Sequence, residues 1–285
     1  MTKNKKKNKT PLLLRFIPWF FPKLEAVAPS LAHRYFIHLF YTPFKYKAPE
    51  KEKEILKAAK QFSVNVHNKR IQCYRWGTMG PKVLLVHGWA GRAGQFRGII
   101  PPLLAKGFEV LAFDGPAHGK SQGKQTNPIE FADVMKAIGK LEGSIHAVIA
   151  HSFGGVAALY AISHGFEVNR LINISSPTIA EQVILNFRRA LNASPAAGLA
   201  FRKHLMDTHG ITFEEISSLH LVQQVKTPLK LLLIQDDNDP EVAPENAVEL
   251  KKVYPAAEII FTKGLGHTRI LRDETVIDAS LKFLS

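Results

Sequence analysis

Ser152 lies in the run His146-Ala-Val-Ile-Ala-His151-Ser152-Phe-Gly-Gly155, and its surroundings suit a nucleophile. An apolar stretch, residues 147–150, leads straight into the serine, and a second apolar stretch of helical character follows from 154 to 164. A strand that turns sharply into a helix at a serine lifts the hydroxyl clear of its neighbours and leaves it at a helix N-terminus. Such a turn admits only small residues two places before and two after the serine, because the backbone passes close by. Ala150 and Gly154 meet that demand, with alanine where glycine is usual. The plainer reading is a serine that N-caps an ordinary helix. A serine hydroxyl attacks a carbonyl only when a base takes its proton, and the base needs an acid to fix its tautomer. His267 follows a short apolar run in Gly264-Leu-Gly266-His267, where glycines let a loop fold back. Asp236, Asp237 and Asp239 cluster after another apolar run and supply competing carboxylates.

These residues must be positioned by a regular scaffold, and the chain has the pattern of one. Residues 63–67 and 70–76 alternate apolar with polar, with Asn68-Lys69 between them as the predicted turn of a β-hairpin. Short apolar runs then recur at 83–86, 110–113, 147–150, 171–174, 229–234 and 258–261. Helical patterns separate them at 95–105, 128–141, 154–164, 244–253 and 274–283, after a charged helical stretch at 49–61. Alternating apolar strands and helices specify a mostly parallel central sheet covered by helices on both faces. Between 177 and 227 the rhythm breaks into about fifty helix-like residues, read as a small helical cap inserted into the main domain. No internal repeat is evident. The expected organisation is a basic, aromatic-rich helical extension over residues 1–62 and a main domain over 63–285.

With these motifs in order over residues 64–285, the chain resembles the α/β-hydrolase superfamily, including bacterial members that also begin with a basic, aromatic segment. The resemblance implies the α/β-hydrolase fold and a serine hydrolase with Ser152 as nucleophile, at a nucleophile elbow. It makes the backbone N–H groups of Trp89, after His87-Gly88, and of Phe153 the oxyanion hole, such donors being worth about 3 kcal/mol each. His87 is then a residue of the turn rather than a base. Asp114-Gly-Pro-Ala-His118-Gly-Lys-Ser121 is similar to a loop of the family in which Asp114 and His118 organise hydrogen bonds. The family order of nucleophile, acid and base selects Asp239, ahead of Val242 and Pro244, and His267. Asp236 is left as a turn former, and His151 points away from the pocket. No cofactor and no metal is implied, and an Asp-nucleophile chemistry is disfavoured by Ser152.

Charge is distributed unevenly. Of the net +14, residues 1–60 carry +10, with 10 of the 27 aromatic residues. Residues 1–10 form a lysine-rich run, and the apolar stretch that follows is broken by Arg15, Pro18, Pro22, Lys23, Glu25 and Pro29. It lacks the roughly 18 uninterrupted apolar residues of a spanning helix and the small-residue cleavage site of a signal peptide. Two readings remain open for this segment: helices packed on the body, or a basic amphipathic surface for an anionic membrane. Nucleic acid is a disfavoured partner, since no reading motif accompanies the lysines. The single cysteine, Cys73, rules out an intrachain disulfide and points to a reducing compartment, hence a cytoplasmic protein, peripheral on the inner face of the membrane in the second reading.

The expected chemistry is acyl transfer on a small-molecule acyl substrate, most simply an ester, through an acyl-enzyme. A thioesterase or peptidase would use the same three side chains. A ligand-binding protein without catalysis is the alternative of another class, disfavoured by an intact Ser, Asp and His. The apolar residues of 177–227, among them Ile184, Phe187, Leu199 and Phe201, either line an acyl pocket or form a small helical core. Oligomeric state is not legible.

Overall fold

Five of the strands are near-continuous apolar runs because helices cover both of their faces, and the last run, 258–261, is a partly exposed edge. The computed structural model describes residues 12–285, so the lysine-rich run at 1–10 lies outside the described residues. The strands are β1 (Lys60–Val66), β2 (Lys69–Trp76), β3 (Lys82–Val86), β4 (Glu109–Phe113), β5 (Ala147–His151), β6 (Arg170–Ile174), β7 (Lys230–Asp236) and β8 (Glu258–Thr262). They form one sheet in the order β1-β2-β4-β3-β5-β6-β7-β8. β1 and β2 pair antiparallel, as do β2 and β4, and every other pairing is parallel. This is the α/β-hydrolase fold. The helices are α1 (Leu12–Val27), α2 (Pro29–Tyr41), α3 (Glu50–Lys57), α4 (Ile100–Ala105), α5 (Pro128–Glu142) and α6 (Phe153–Ser163). They continue as α7 (Ala180–Leu191), α8 (Pro195–His209), α9 (Ser218–Leu221), α10 (Glu245–Val253), α11 (Gly266–Arg269) and α12 (Glu274–Leu284).

Two compact units divide the chain: residues 12–40 with Glu181–Thr212, and Tyr41–Ala180 with Phe213–Ser285. The larger unit holds the sheet. Alternate residues of each strand feed opposite faces, as the period of two demands. Leu84, Val86, Leu111 and Phe113 join one core with Phe131, Met135 and Leu159 of α5 and α6. Val83, Leu85, Val110 and Ala112 join the other with Leu103 and Ile277 of α4 and α12. The order reverses at β3, which lies between β4 and β5, and loops at such a switch point diverge to leave a crevice at the strands' C-terminal ends.

Among the described residues, the smaller unit is built from α1, α2, α7 and α8 and has no sheet of its own. Phe36 is its centre, with ring centroids 5.0 Å from Phe187, 6.2 Å from Phe21 and 6.4 Å from Phe201. Glu25 accepts hydrogen bonds from the Ser194 N–H at 3.0 Å and the Ser194 hydroxyl at 2.6 Å, tying α1 to the start of α8. Ile184, Leu191, Phe201 and Leu205 are buried, while Leu199 is exposed. No helix among the described residues is long and apolar enough to cross a membrane.

Local details differ from the sequence pattern in instructive ways. The hairpin turn falls at His67-Asn68 rather than Asn68-Lys69, with φ of 48° and 58°, since a two-residue hairpin needs two successive left-handed residues. The charged helix ends at Lys57, and β1 begins at Lys60 because its residues pair with Arg75 and Tyr74 from there on. The helix expected over 95–105 is split into a 3-10 turn, Ala93–Gly98, and α4. Gly98 packs against the Leu271 carbonyl, where a Cβ would come within 2.9 Å.

Candidate active site

Ser152 occupies the turn between β5 and α6 with φ 54° and ψ −127°, a backbone region costly for any residue but glycine. Its surroundings hold it there. The Ser152 N–H donates to the Ile174 carbonyl at 2.9 Å, and its own carbonyl accepts from the Gly155 N–H at 2.9 Å. A Cβ on Gly154 would lie 2.3 Å from the Val86 carbonyl, and one on Gly155 would lie 1.9 Å from Asn173 Oδ1. The small residues of the motif are therefore forced by β3 and β6, which flank β5 and crowd the start of α6. A strained strand-to-helix turn with Ser152 at its apex is present.

Gly88, in the turn after β3, approaches Ser152 so closely that a Cβ there would meet Ser152 Cβ at 2.9 Å. This places the Trp89 backbone beside the start of α6. Among the described residues, neither the Trp89 nor the Phe153 N–H donates a hydrogen bond within the protein. Their rings meet edge to face at 5.2 Å. Two histidines brace this turn. His87 Nε2 accepts from the Gly115 N–H at 2.9 Å, and its Nδ1–H donates to the Gly88 carbonyl at 2.8 Å. His118 Nε2 accepts from the Ala90 N–H at 3.0 Å. Burial lowers the pKa of His87 to about 4 and of His118 to about 3, so both are neutral acceptors at ordinary pH. Asp114 accepts from the Tyr74 hydroxyl and the Ala93 N–H, each at 3.0 Å, and from the Lys120 N–H at 2.9 Å.

His267, in α11, and Asp239, in the loop after β7, are brought together. The His267 Nδ1–H donates to Asp239 Oδ2 at 2.8 Å, with the Asp239 side chain fully buried. Asp239 Oδ1 accepts from the backbone N–H groups of Glu241 at 2.8 Å and Val242 at 3.1 Å. Burial alone would raise the Asp239 pKa. The hydrogen bond from His267 and the N–H groups outweigh it and hold the carboxyl below its usual range. Asp236, three residues earlier, does not contact the His267 ring. It accepts from the N–H groups of Leu265 and Gly266, both at 2.9 Å, and from the Thr262 hydroxyl at 2.8 Å. Asp237 is exposed.

Ser152 and His267 are not joined by a hydrogen bond. His267 Nε2 instead lies 3.5 Å from Oε2 of the exposed Glu241. The link to the Ser152 turn runs through His151, whose Nε2–H donates to the His267 carbonyl at 2.8 Å, with ring centroids 4.7 Å apart. Burial lowers the His151 pKa to about 3, which keeps it neutral. His151 is thus the tether between the Ser152 turn and α11, a role without a sequence signal beyond its adjacency to Ser152. The arrangement offers a hydroxyl on a strained turn, two free N–H groups beside it, and an imidazole held by a buried carboxylate. Chemically, that set suits addition to a carbonyl.

The family described as alpha/beta hydrolase fold matches residues 81–205, and the one described as TAP-like protein matches 194–285. A serine hydrolase-like protein of Danio rerio is 29% identical over 147 residues, 48% of this chain and 45% of that protein, so the chain spans under half the relative's length. The sn-1-specific diacylglycerol lipase ABHD11 of Xenopus laevis is 27% identical over 252 residues, 71% of this chain and 80% of that protein. An esterase structure from Pyrococcus furiosus superposes with a TM-score of 0.66 at 22% identity, covering 86% of this chain and 97% of that one.

Proposed function

This chain belongs to the α/β-hydrolase superfamily and is a hydrolase of that class, and on that premise we propose that it cleaves carboxylic esters through Ser152, His267 and Asp239. The observation that carries the reading is the buried Asp239–His267 hydrogen bond of 2.8 Å, with the His267 carbonyl tethered to the residue before Ser152. In the proposed cycle, His267 Nε2 takes the Ser152 proton as Oγ attacks the ester carbonyl, and the Trp89 and Phe153 N–H groups receive the oxyanion. His267 then protonates the leaving alcohol, and water clears the acyl-enzyme by the same steps in reverse. Asp239 fixes the tautomer and balances the imidazolium charge. The hydrogen bond from the Ser152 hydroxyl to the neutral His267 Nε2 forms in the substrate complex; such contacts are commonly loose without substrate.

A glycerolipid-like ester is the substrate class this reading favours, supported by the similarity to a diacylglycerol lipase over most of the chain. A fluorophosphonate probe tests the nucleophile: labelling of the folded protein and its loss in Ser152→Ala are expected. Absence of labelling in well-folded protein overturns the enzyme reading. A panel of esters and matched thioesters graded by acyl length then identifies the bond and the chain length.

The exposed face of α1 and α2 supports attachment to an anionic lipid surface as part of the same reading. Phe16, Trp19, Val27 and Leu31 are each at least half exposed, and Lys23 Nζ lies 3.2 Å from the centre of the Trp19 ring. Aromatic and aliphatic side chains with a lysine among them suit the interfacial layer. Co-sedimentation of the full chain with anionic vesicles, weakened in the Phe16→Glu/Trp19→Glu variant, is the expected result. Equal partitioning of the two proteins removes the lipid surface from the proposal.

A further inference from the structure

A cavity of about 330 Å³ opens in the larger unit between the 44–48 segment, α3, the turn after β3 and the loop after β4. Ser152, Asp239 and His267 take no part in its lining. Five cationic side chains do, Lys45, Lys53, Lys57, Arg92 and Lys120, against a single carboxylate, Asp114.

Two of the cations are already committed. Lys53 Nζ sits 2.9 Å from Glu50 Oε2. Arg92 Nε lies 3.6 Å from Glu52, its guanidinium donates to the Tyr46 carbonyl at 2.9 Å, and its charge lies 4.2 Å from the Tyr46 ring centre. Arg92 therefore builds a wall of the cavity. Asp114 is buried, and its carboxylate is engaged by Tyr74 and two backbone N–H groups. Lys45, Lys57 and Lys120 remain, each on a different segment and each without an ion pair among the described residues. A sphere of the cavity's volume is roughly 9 Å across, about one Debye length, so the three charges act on the same contents.

We propose that this cavity binds a small organic phosphate. Three separate ammonium groups suit a multiply charged acceptor with oxygens in several directions, whereas a flat carboxylate is matched by a free arginine fork, which Arg92 no longer offers. Phe44, Tyr46 and Leu56 supply an apolar side for the organic part. The volume is at the small end of ligand sites and excludes a long acyl chain. Ala90 and Gly91, which follow Trp89, also line the cavity, so its occupant lies against the turn that carries one of the free N–H groups. The phosphate belongs either to a free small molecule or to the head of the hydrolase's own substrate.

Isothermal titration of the full chain with phenyl phosphate at low salt tests the binding, which stands apart from the role given to Ser152. The wild type is expected to bind phenyl phosphate more tightly than inorganic phosphate, with affinity falling as salt rises. The Lys57→Ala/Lys120→Ala variant, altered at two exposed positions, is expected to fold with an unchanged thermal midpoint and to bind about tenfold more weakly. No binding by the wild type, or equal affinity in the variant, overturns the proposal. A second arm identifies the source. If the phosphate is carried by the substrate, the variant raises KM for an ester with a phosphorylated alcohol about tenfold relative to a neutral ester. If it is free, that ratio stays fixed and phenyl phosphate binds protein labelled at Ser152 as tightly as unlabelled protein.

Discussion

Asp236 Oδ1 accepts the backbone N–H of Gly266 at 2.9 Å, one residue before His267. With Oδ2 on the Leu265 N–H and the Thr262 hydroxyl, the carboxylate at the end of β7 fixes the start of α11, just after β8. It touches no reacting atom under the proposed cycle, yet it sets where the base stands. Asp236→Ala is expected to lower kcat roughly a hundredfold, the scale of an ångström-sized misplacement, with KM little changed. The unfolding free energy is expected to fall by about 1–3 kcal/mol through the N–H groups left unpaired. Steady-state kinetics and denaturant unfolding of one variant measure both.

Asp239 makes a different prediction, because it holds the imidazole directly. Asp239→Asn preserves shape but donates towards Nδ1, favouring the wrong tautomer, and kcat for the best ester is expected to fall by about 10⁴. The test is the rate in the variant compared with Ser152→Ala. A loss smaller than tenfold assigns the orienting role elsewhere.

Glu241 Oε2 lies 3.5 Å from His267 Nε2 and pairs with it only when the ring carries both protons, a form that cannot take the Ser152 proton. Its side chain is 64% exposed, so the pair is a surface interaction worth about 0.2–1 kcal/mol. Glu241→Gln is expected to speed fluorophosphonate labelling of Ser152 by about 1.5- to 5-fold at low salt and at a pH where the ring carries both protons, and the difference shrinks as salt is added. Slower labelling in the variant counts against that pairing.

Three buried histidines set the acid limit of stability. Burial first of all lowers the folded-state pKa of His87 to about 4 and of His118 and His151 to about 3. The unfolded chain binds protons at these sites near pH 6.5, whereas the folded chain does not until lower pH. Stability is therefore full above about pH 6.5 and is lost as pH falls towards the folded-state values. Between pH 6 and 4.5 the loss approaches about 4 kcal/mol per pH unit, three protons' worth. Asp236 and Asp239, held below their ordinary range, add a further loss only beneath about pH 4. Denaturant unfolding across this range gives the slope directly. A curve flat down to pH 4.5 overturns the assignment.

β3 to β7 were legible because burial on both faces demands unbroken apolar runs, and β8 because its partly exposed edge still carries Ile259, Ile260 and Phe261; all six begin within a residue of those runs. Ser152, Asp239 and His267 were legible as candidates because each follows closely on a strand's C-terminal end, with small or turn-forming neighbours. Asp236 was not legible as a positioning residue. Its partners, Leu265 and Gly266, contribute only backbone N–H groups, which leave no mark in the side-chain pattern. His151 was hidden for the same reason, since it binds the His267 carbonyl. The hairpin turn slipped by one residue because His67 adopts a left-handed conformation that favours glycine or asparagine. The grouping of 181–212 with 12–40 depends on apolar faces matching across the chain, for which no local periodicity gives a sign.

That grouping has a consequence for how the protein is made. Phe21 and Phe36 emerge from the ribosome well before Phe187 and Phe201, the rings that complete their core. The stretch between Phe40 and Glu181 takes roughly 7–28 s to synthesise, at 5–20 residues per second. For that interval two amphipathic helices wait with their aromatic faces open, while the strands up to β6 are still being added. Nascent chains stalled before α7 are thus the form of this protein most in need of a chaperone.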